Sequence, residues 1–160
     1  MRLTIIAIGR IGRGPEAELC DRYRDRIRQT GRAVGITACD TREFREANHA
    51  ALDPRRTEEA TRIIGALPPG AKLVALDERG KSQTSQAFAG TLAAWRDAGT
   101  SDLAFAIGGP DGHDAALRTR ADALLALGPM TMPHGLARAV LLEQLYRATT
   151  ILAGHPYHRA

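Results

Sequence analysis

Every side chain from Leu103 to Ile107 is apolar, and the chain then turns at Gly108-Gly109-Pro110-Asp111-Gly112. A strand with no polar face must be covered on both sides, as parallel strands in α/β sheets are. The rest of the sequence agrees with that reading. Arg2 to Ile8 reads as a first strand feeding Gly9. Leu19, Cys20, Tyr23 and Ile27 recur at helical spacing between Gly14-Pro15 and about Thr30, with Gly31 as the stop. Ala33 to Cys39 reads as a second strand. A helix from Asp53-Pro54 to about Leu67 follows, closed by Pro68-Pro69-Gly70. Lys72 to Asp77 is the third strand candidate and 78–82 a loop. A helix over about 84–98 carries Phe88, Leu92 and Trp95 on one face. After the glycine turn come a short helix near 114–121, a short strand near 123–127, a loop over 128–135, and a long helix from Leu136 to about Ala153. Strands alternating with helices predict an α/β fold, a mainly parallel sheet flanked by helices in a single domain spanning 1–160.

At 160 residues one hydrophobic core is expected, and no apolar run is long enough to cross a bilayer. The N-terminus lacks the charged segment, apolar run and cleavage site of a signal peptide, so a cytoplasmic location is expected. Cys20 and Cys39 are not arranged as CxxC and read as small buried hydrophobes. All of the 22 basic residues except Lys72 and Lys81 are arginine, whose planar forked donors suit phosphates and base edges. Arg22, Arg24, Arg26 and Arg28 read as a solvated helix face paired with Glu18, Asp21 and Asp25, with RNA contact as the alternative.

In a parallel sheet ligands gather where loops leave the carboxyl ends of the strands. Three loops qualify: Leu76 to Ser82, Gly108 to Gly112 and Gly128 to Gly135. Gly80-Lys81-Ser82 resembles the end of a P-loop, but Ala75 stands where that motif needs glycine. IGGPDG by itself is a tight turn that brings backbone close to something flat or bulky. The loop Gly128-Pro129-Met130-Thr131-Met132-Pro133 is apolar and bounded by prolines. Its rigid backbone could read an adenine edge while the methionines pack on the ring; the alternative is core filling by flexible Met. His155 and His158 sit three apart with no carboxylate or Cys beside them, so no metal site is expected. The tail His155-Pro156-Tyr157-His158-Arg159 gathers an aromatic ring, two imidazoles and a guanidinium, groups that stack on bases and bond phosphates.

RLTIIAIGR at the start, ALDERGK, FAIGGPDGH, MTMPHGLARAVLLEQLYRATTI and the terminal HPYHR occur together in this order. Over nearly the whole chain this set resembles the RlmH (YbeA-like) family of SPOUT methyltransferases. The resemblance implies an S-adenosyl-L-methionine-dependent enzyme that methylates N3 of a pseudouridine in 23S rRNA on the assembled ribosome. It implies an α/β knot, a C-terminal trefoil whose cofactor-binding part covers approximately 72–155, and a homodimer in which one subunit's tail completes the other's site. Carried over by position, Leu76, Gly108, Leu127, Gly128, Pro129, Met130, Thr131 and Met132 are expected at the cofactor. Tyr157 and Arg159 are expected at the target nucleotide. Leu127-Gly128-Pro129 is a glycine- and proline-rich version of a variable stretch, which leaves recognition there to the backbone. Residue chemistry adds roles: Arg159 stabilises the developing imide anion, Tyr157 orients or stacks on the base, and His155 or His158 accepts the proton unless solvent does. Two other readings stand beside this one: a non-catalytic ribosome- or RNA-binding factor of the same fold, and a small nucleotide-binding hydrolase.

Overall fold

The computed structural model describes residues 1–157. Five strands, β1 (Arg2–Ile8), β2 (Ala38–Phe44), β3 (Lys72–Ser82), β4 (Asp102–Ile107) and β5 (Ala123–Ala126), form one sheet in the order β2-β1-β4-β3-β5. Every pairing is parallel, so all five strands send their following loops to the same edge. Between them lie α1 (Pro15–Thr30), α2 (Leu52–Gly65), α3 (Ser85–Asp97), α4 (Ala115–Arg120) and α5 (His134–Leu152).

Alternation along β1 and β4 divides the core in two. Leu3, Ile5, Ala7, Leu103, Phe105 and Ile107 pack against α1, α3 and α5, through side chains such as Ile27, Leu92, Leu141 and Leu145. Ile6, Ile8, Ala104 and Ala106 face the other way, onto Ala60 and Ile63 of α2 and Leu117 of α4. All six residues of β4 are buried, the apolar run Leu103 to Ile107 together with Asp102, which pairs with Arg2 at 2.7 Å. Burying side chains the size of Phe105 or Leu103 contributes roughly 1.5–3 kcal/mol each. α5 is buried almost all round, because α1 and α3 flank it on the sheet. Both cysteines are buried and free, and burial pushes the Cys39 thiol up to about 12. The arginine face of α1 is largely solvated: Arg24 pairs with Asp21, and Arg28 with Asp25 and Asp40.

Three boundaries differ from the sequence expectation. The second strand starts at Ala38, because Gly31–Val34 continue α1 as a 3-10 turn closed by Gly35 in the left-handed region. Gly31 is not a simple stop: a β-carbon there would lie 3.0 Å from Ile36, so glycine lets the chain fold back on itself. Residues expected as a loop after Asp77 rejoin the sheet, with Lys81 and Ser82 registered on Leu125 and Ala126. α5 begins two residues early, with Pro133 at its N-cap.

Candidate functional site

The loops leaving β3, β4 and β5 enclose a cleft of about 740 Å³, within the usual range of roughly 300–1,000 Å³ for small-molecule and cofactor sites. Leu76 reaches it from β3, where it is registered between Ile107 and Leu125. Gly108 enters from the end of β4, and Leu127, Gly128, Pro129, Met130, Thr131 and Met132 form the opposite wall. The eight residues expected at a cofactor thus share one cavity, although they come from strand β3 and from the loops after β4 and β5.

Local chemistry explains how the walls hold their shape. Gly112 has a φ of 73° and its N–H closes the turn on the Gly109 carbonyl at 3.0 Å. A β-carbon on Gly108 would lie 3.1 Å from the His113 ring, and one on Gly109 3.1 Å from Glu59 Oε2. Both glycines are therefore set by close approach as well as by turning. Arg56 Nε donates to the Asp111 carbonyl at 2.7 Å and Arg55 pairs with the Asp111 carboxylate at 3.1 Å, so α2 grips the turn from one side. Gly128 has a φ of 144°, a conformation that suits glycine. Met130 is 79% exposed, which excludes core filling as its role.

Several residues here escaped the sequence reading. His113 is buried on the cleft wall with Nε2 unpartnered. Burial holds its pKa below the ordinary histidine value, against the opposing pull of Asp77. Arg118 donates to the His113 carbonyl and faces Asp77 at 3.5 Å. Glu59 is buried, accepting the Ala47 N–H at 3.0 Å with one oxygen. Arg138, also buried, donates to the Gly9 carbonyl at 2.9 Å and pairs with Glu43. The signal for Arg138 was available: it lies three and four residues before the buried Leu141 and Leu142, on the same face of α5.

The tail lies elsewhere in this chain. The Tyr157 ring packs 4.7 Å from that of Tyr146, with the Arg147 guanidinium 5.0 Å from its centroid, and Tyr157 Oη donates to Glu143 at 3.3 Å. The His155 N–H bonds the Thr150 carbonyl, and His155 Nδ1 accepts the Tyr157 N–H at 3.1 Å. Neither residue lines the cleft. Tyr146 follows His134, the cleft residue at the start of α5, by about 18 Å of helix. Burial, with a hydrogen bond to Tyr23, pushes the Tyr157 hydroxyl up to about 12. His158 and Arg159 lie outside the described residues. Among the described residues no helix is long and apolar enough to cross a membrane, and no three metal-binding side chains cluster.

A family model described as "Predicted SPOUT methyltransferase" matches residues 1–158. Proteins named "Ribosomal RNA large subunit methyltransferase H" from Brucella anthropi and Sinorhizobium medicae are 52% and 53% identical to the chain, with 100% of both partners covered in each case. One of the same name from Methylobacterium radiotolerans is 52% identical, over 99% of the chain and 98% of the relative. Among solved structures, a SpoU methyltransferase, AviRb from Streptomyces viridochromogenes, aligns with 96% of the chain and 60% of its own length, at a TM-score of 0.41 and 14% identity. That likeness is too loose to carry any argument.

Proposed function

The chain belongs to the SPOUT methyltransferase family, and from that premise we propose that it transfers the methyl group of S-adenosyl-L-methionine to N3 of a pseudouridine in 23S rRNA. The observation that carries this reading is the convergence of Leu76, Gly108 and the 127–132 loop on one cleft at the carboxyl edge of a parallel sheet. The relatives' shared name supports the choice of large-subunit rRNA as substrate.

The cleft suits that cofactor chemically. Gly108 and Gly109 bring main chain to the cleft, their bare sides packed on His113 and Glu59, and Leu127, Pro129 and Met130 supply an apolar wall for a flat ring. The cavity also carries charge of both signs, Asp77, Glu78 and Asp111 beside Arg56, Arg79 and Arg118. When bound, the cofactor supplies an electrophilic methyl group. The chain must then place a nucleophile in line with it and remove a proton from the N3 imide. Arg159 is assigned to the developing anion. Tyr157, whose phenol ordinarily titrates at about 10, keeps its proton at neutral pH and acts as a donor or a stacking surface rather than a base. His155, His158 or solvent takes the proton.

Tyr157 lies far along α5 from its own cleft, which supports a homodimer whose tails serve each other's sites. A C-terminal trefoil over about 72–155 belongs to the same reading, as membership of the family implies. On this reading the substrate is the assembled ribosome and the protein works in the cytoplasm. The test is transfer of labelled methyl groups to ribosomes from a strain lacking this protein, followed by mapping of the modified nucleotide. A well-folded, cofactor-binding protein that leaves such ribosomes unlabelled would sink the proposal and favour a non-catalytic binding factor.

A further inference from the structure

The loop after β1, Gly9-Arg10-Ile11-Gly12-Arg13-Gly14, is anchored with more care than its sequence suggests. Gly9, with a φ of 91°, lies under His134: a β-carbon there would be 3.0 Å from the imidazole Nε2. Its N–H bonds the Phe44 carbonyl at 2.9 Å and its carbonyl accepts from buried Arg138. Arg138 also holds Glu43, and Glu43 Oε1 accepts the Ile11 N–H at 3.1 Å. Ile11 reaches Gly135 at the first turn of α5, 4.0 Å from where a β-carbon would stand. Burying an arginine is costly unless it is paired and hydrogen-bonded, and the group this one holds is the root of the loop.

From that rigid root two arginines project. Arg10 and Arg13 are exposed and make no hydrogen bond or ion pair among the described residues. Arg10 acts on Glu43 only at longer range, and Glu43 is already engaged by Arg138 and Ile11. Arg45, also exposed, begins the neighbouring loop, beside Gly9 through the bond to Phe44. The three cations stand on the sheet edge that carries the cleft, and His134 is both the cleft residue after the 127–132 loop and the lid over Gly9.

We infer that the Gly9–Gly14 loop is a phosphate-gripping element, in which Arg10 and Arg13 bind the RNA backbone beside the target nucleotide. The inference rests on the rRNA reading above and adds an element outside the cofactor loops and the tail. Arginine's forked donors match phosphate oxygens, and a pre-anchored loop loses little freedom when it binds.

The test is R10A/R13A against wild type and R10K/R13K, using ribosomes lacking the methyl group. Cofactor calorimetry and thermal melts serve as fold controls, and KM for ribosomes is measured across a salt series. With melts and cofactor affinity unchanged, the alanine pair should raise KM roughly tenfold and lower the salt slope of binding by about two, one for each lost phosphate contact. The lysine pair, which keeps both charges, should retain most of the slope. An alanine pair with wild-type KM and salt slope overturns the assignment. So does one whose defect is loss of the dimer by sedimentation, since the loop would then meet a protein surface. A wild type that does not methylate ribosomes sinks the rRNA reading itself; a methylating wild type matched by the alanine pair in KM and salt slope sinks only the loop.

Discussion

A β-carbon on Gly80 would stand 2.6 Å from the backbone of Leu125, closer than any side chain can be accommodated by rotation. The contact is backbone against backbone, at the place where β3 arches past β5. Gly80→Ala should therefore destabilise the protein by about 3 kcal/mol, near the upper end for overpacking. Denaturant unfolding reads the effect directly; a change under about 0.5 kcal/mol, the scatter of ordinary surface substitutions, would contradict the close approach.

At Gly108 the same reasoning moves from stability to binding. The β-carbon of Gly108→Val would press on the His113 ring, itself part of the cleft wall. A strain of about 1–3 kcal/mol, passed to the site through that wall, corresponds to a roughly five- to 150-fold loss of cofactor affinity, with the fold retained. Calorimetry with S-adenosyl-L-methionine decides it, and unchanged affinity would remove Gly108 from the cofactor wall.

Glu43 ties stability to acid. Its burial alone would raise the carboxyl pKa, but Arg138 and the Ile11 N–H more than compensate and leave it lowered. A depressed carboxylate contributes stability that is present above its unfolded pKa, near 4.3, and is lost as pH falls through the lower folded value. Glu43→Gln should accordingly show a flatter decline in melting temperature below about pH 4.5 than wild type. At neutral pH it should be less stable, because Arg138 is left buried without its counter-charge.

Tyr157 gives the opposite sign. Its folded pKa, about 12, lies above the ordinary tyrosine value of 10.0. The stability it contributes is complete below about pH 10 and disappears as pH rises towards 12. Tyr157→Phe should lose less stability over that alkaline interval, followed by circular dichroism. In ribosome methylation the wild-type rate should show no inflection from this residue below about pH 11.

The sheet was legible because its central strands are apolar on both faces and punctuated by glycine; four strands lie where the pattern placed them, while the second, expected over 33–39, runs from Ala38 to Phe44. Boundaries failed where a tertiary contact overruled local pattern. Gly31 looks like a helix stop until Ile36 folds onto it, and Lys81 looks like loop until β5 arrives to pair with it. The cleft residues were reached through motif resemblance, since nothing in periodicity brings Leu76 to Met130. Glu59, His113 and Arg138 were missed for another reason: a polar residue on an apolar face reads as exposed until its partners, Ala47, Asp77 and Glu43, are brought in from distant segments.

α5 starts at the cleft and ends beside the tail. An α-helix advances about 1.5 Å and turns about 100° with each residue. One residue gained or lost within α5 would swing the tail through more than a quarter-turn relative to the cofactor loop, whatever the residue's identity. The helix works as a fixed gauge: its residue count, more than its composition, sets where the tail stands relative to the cleft.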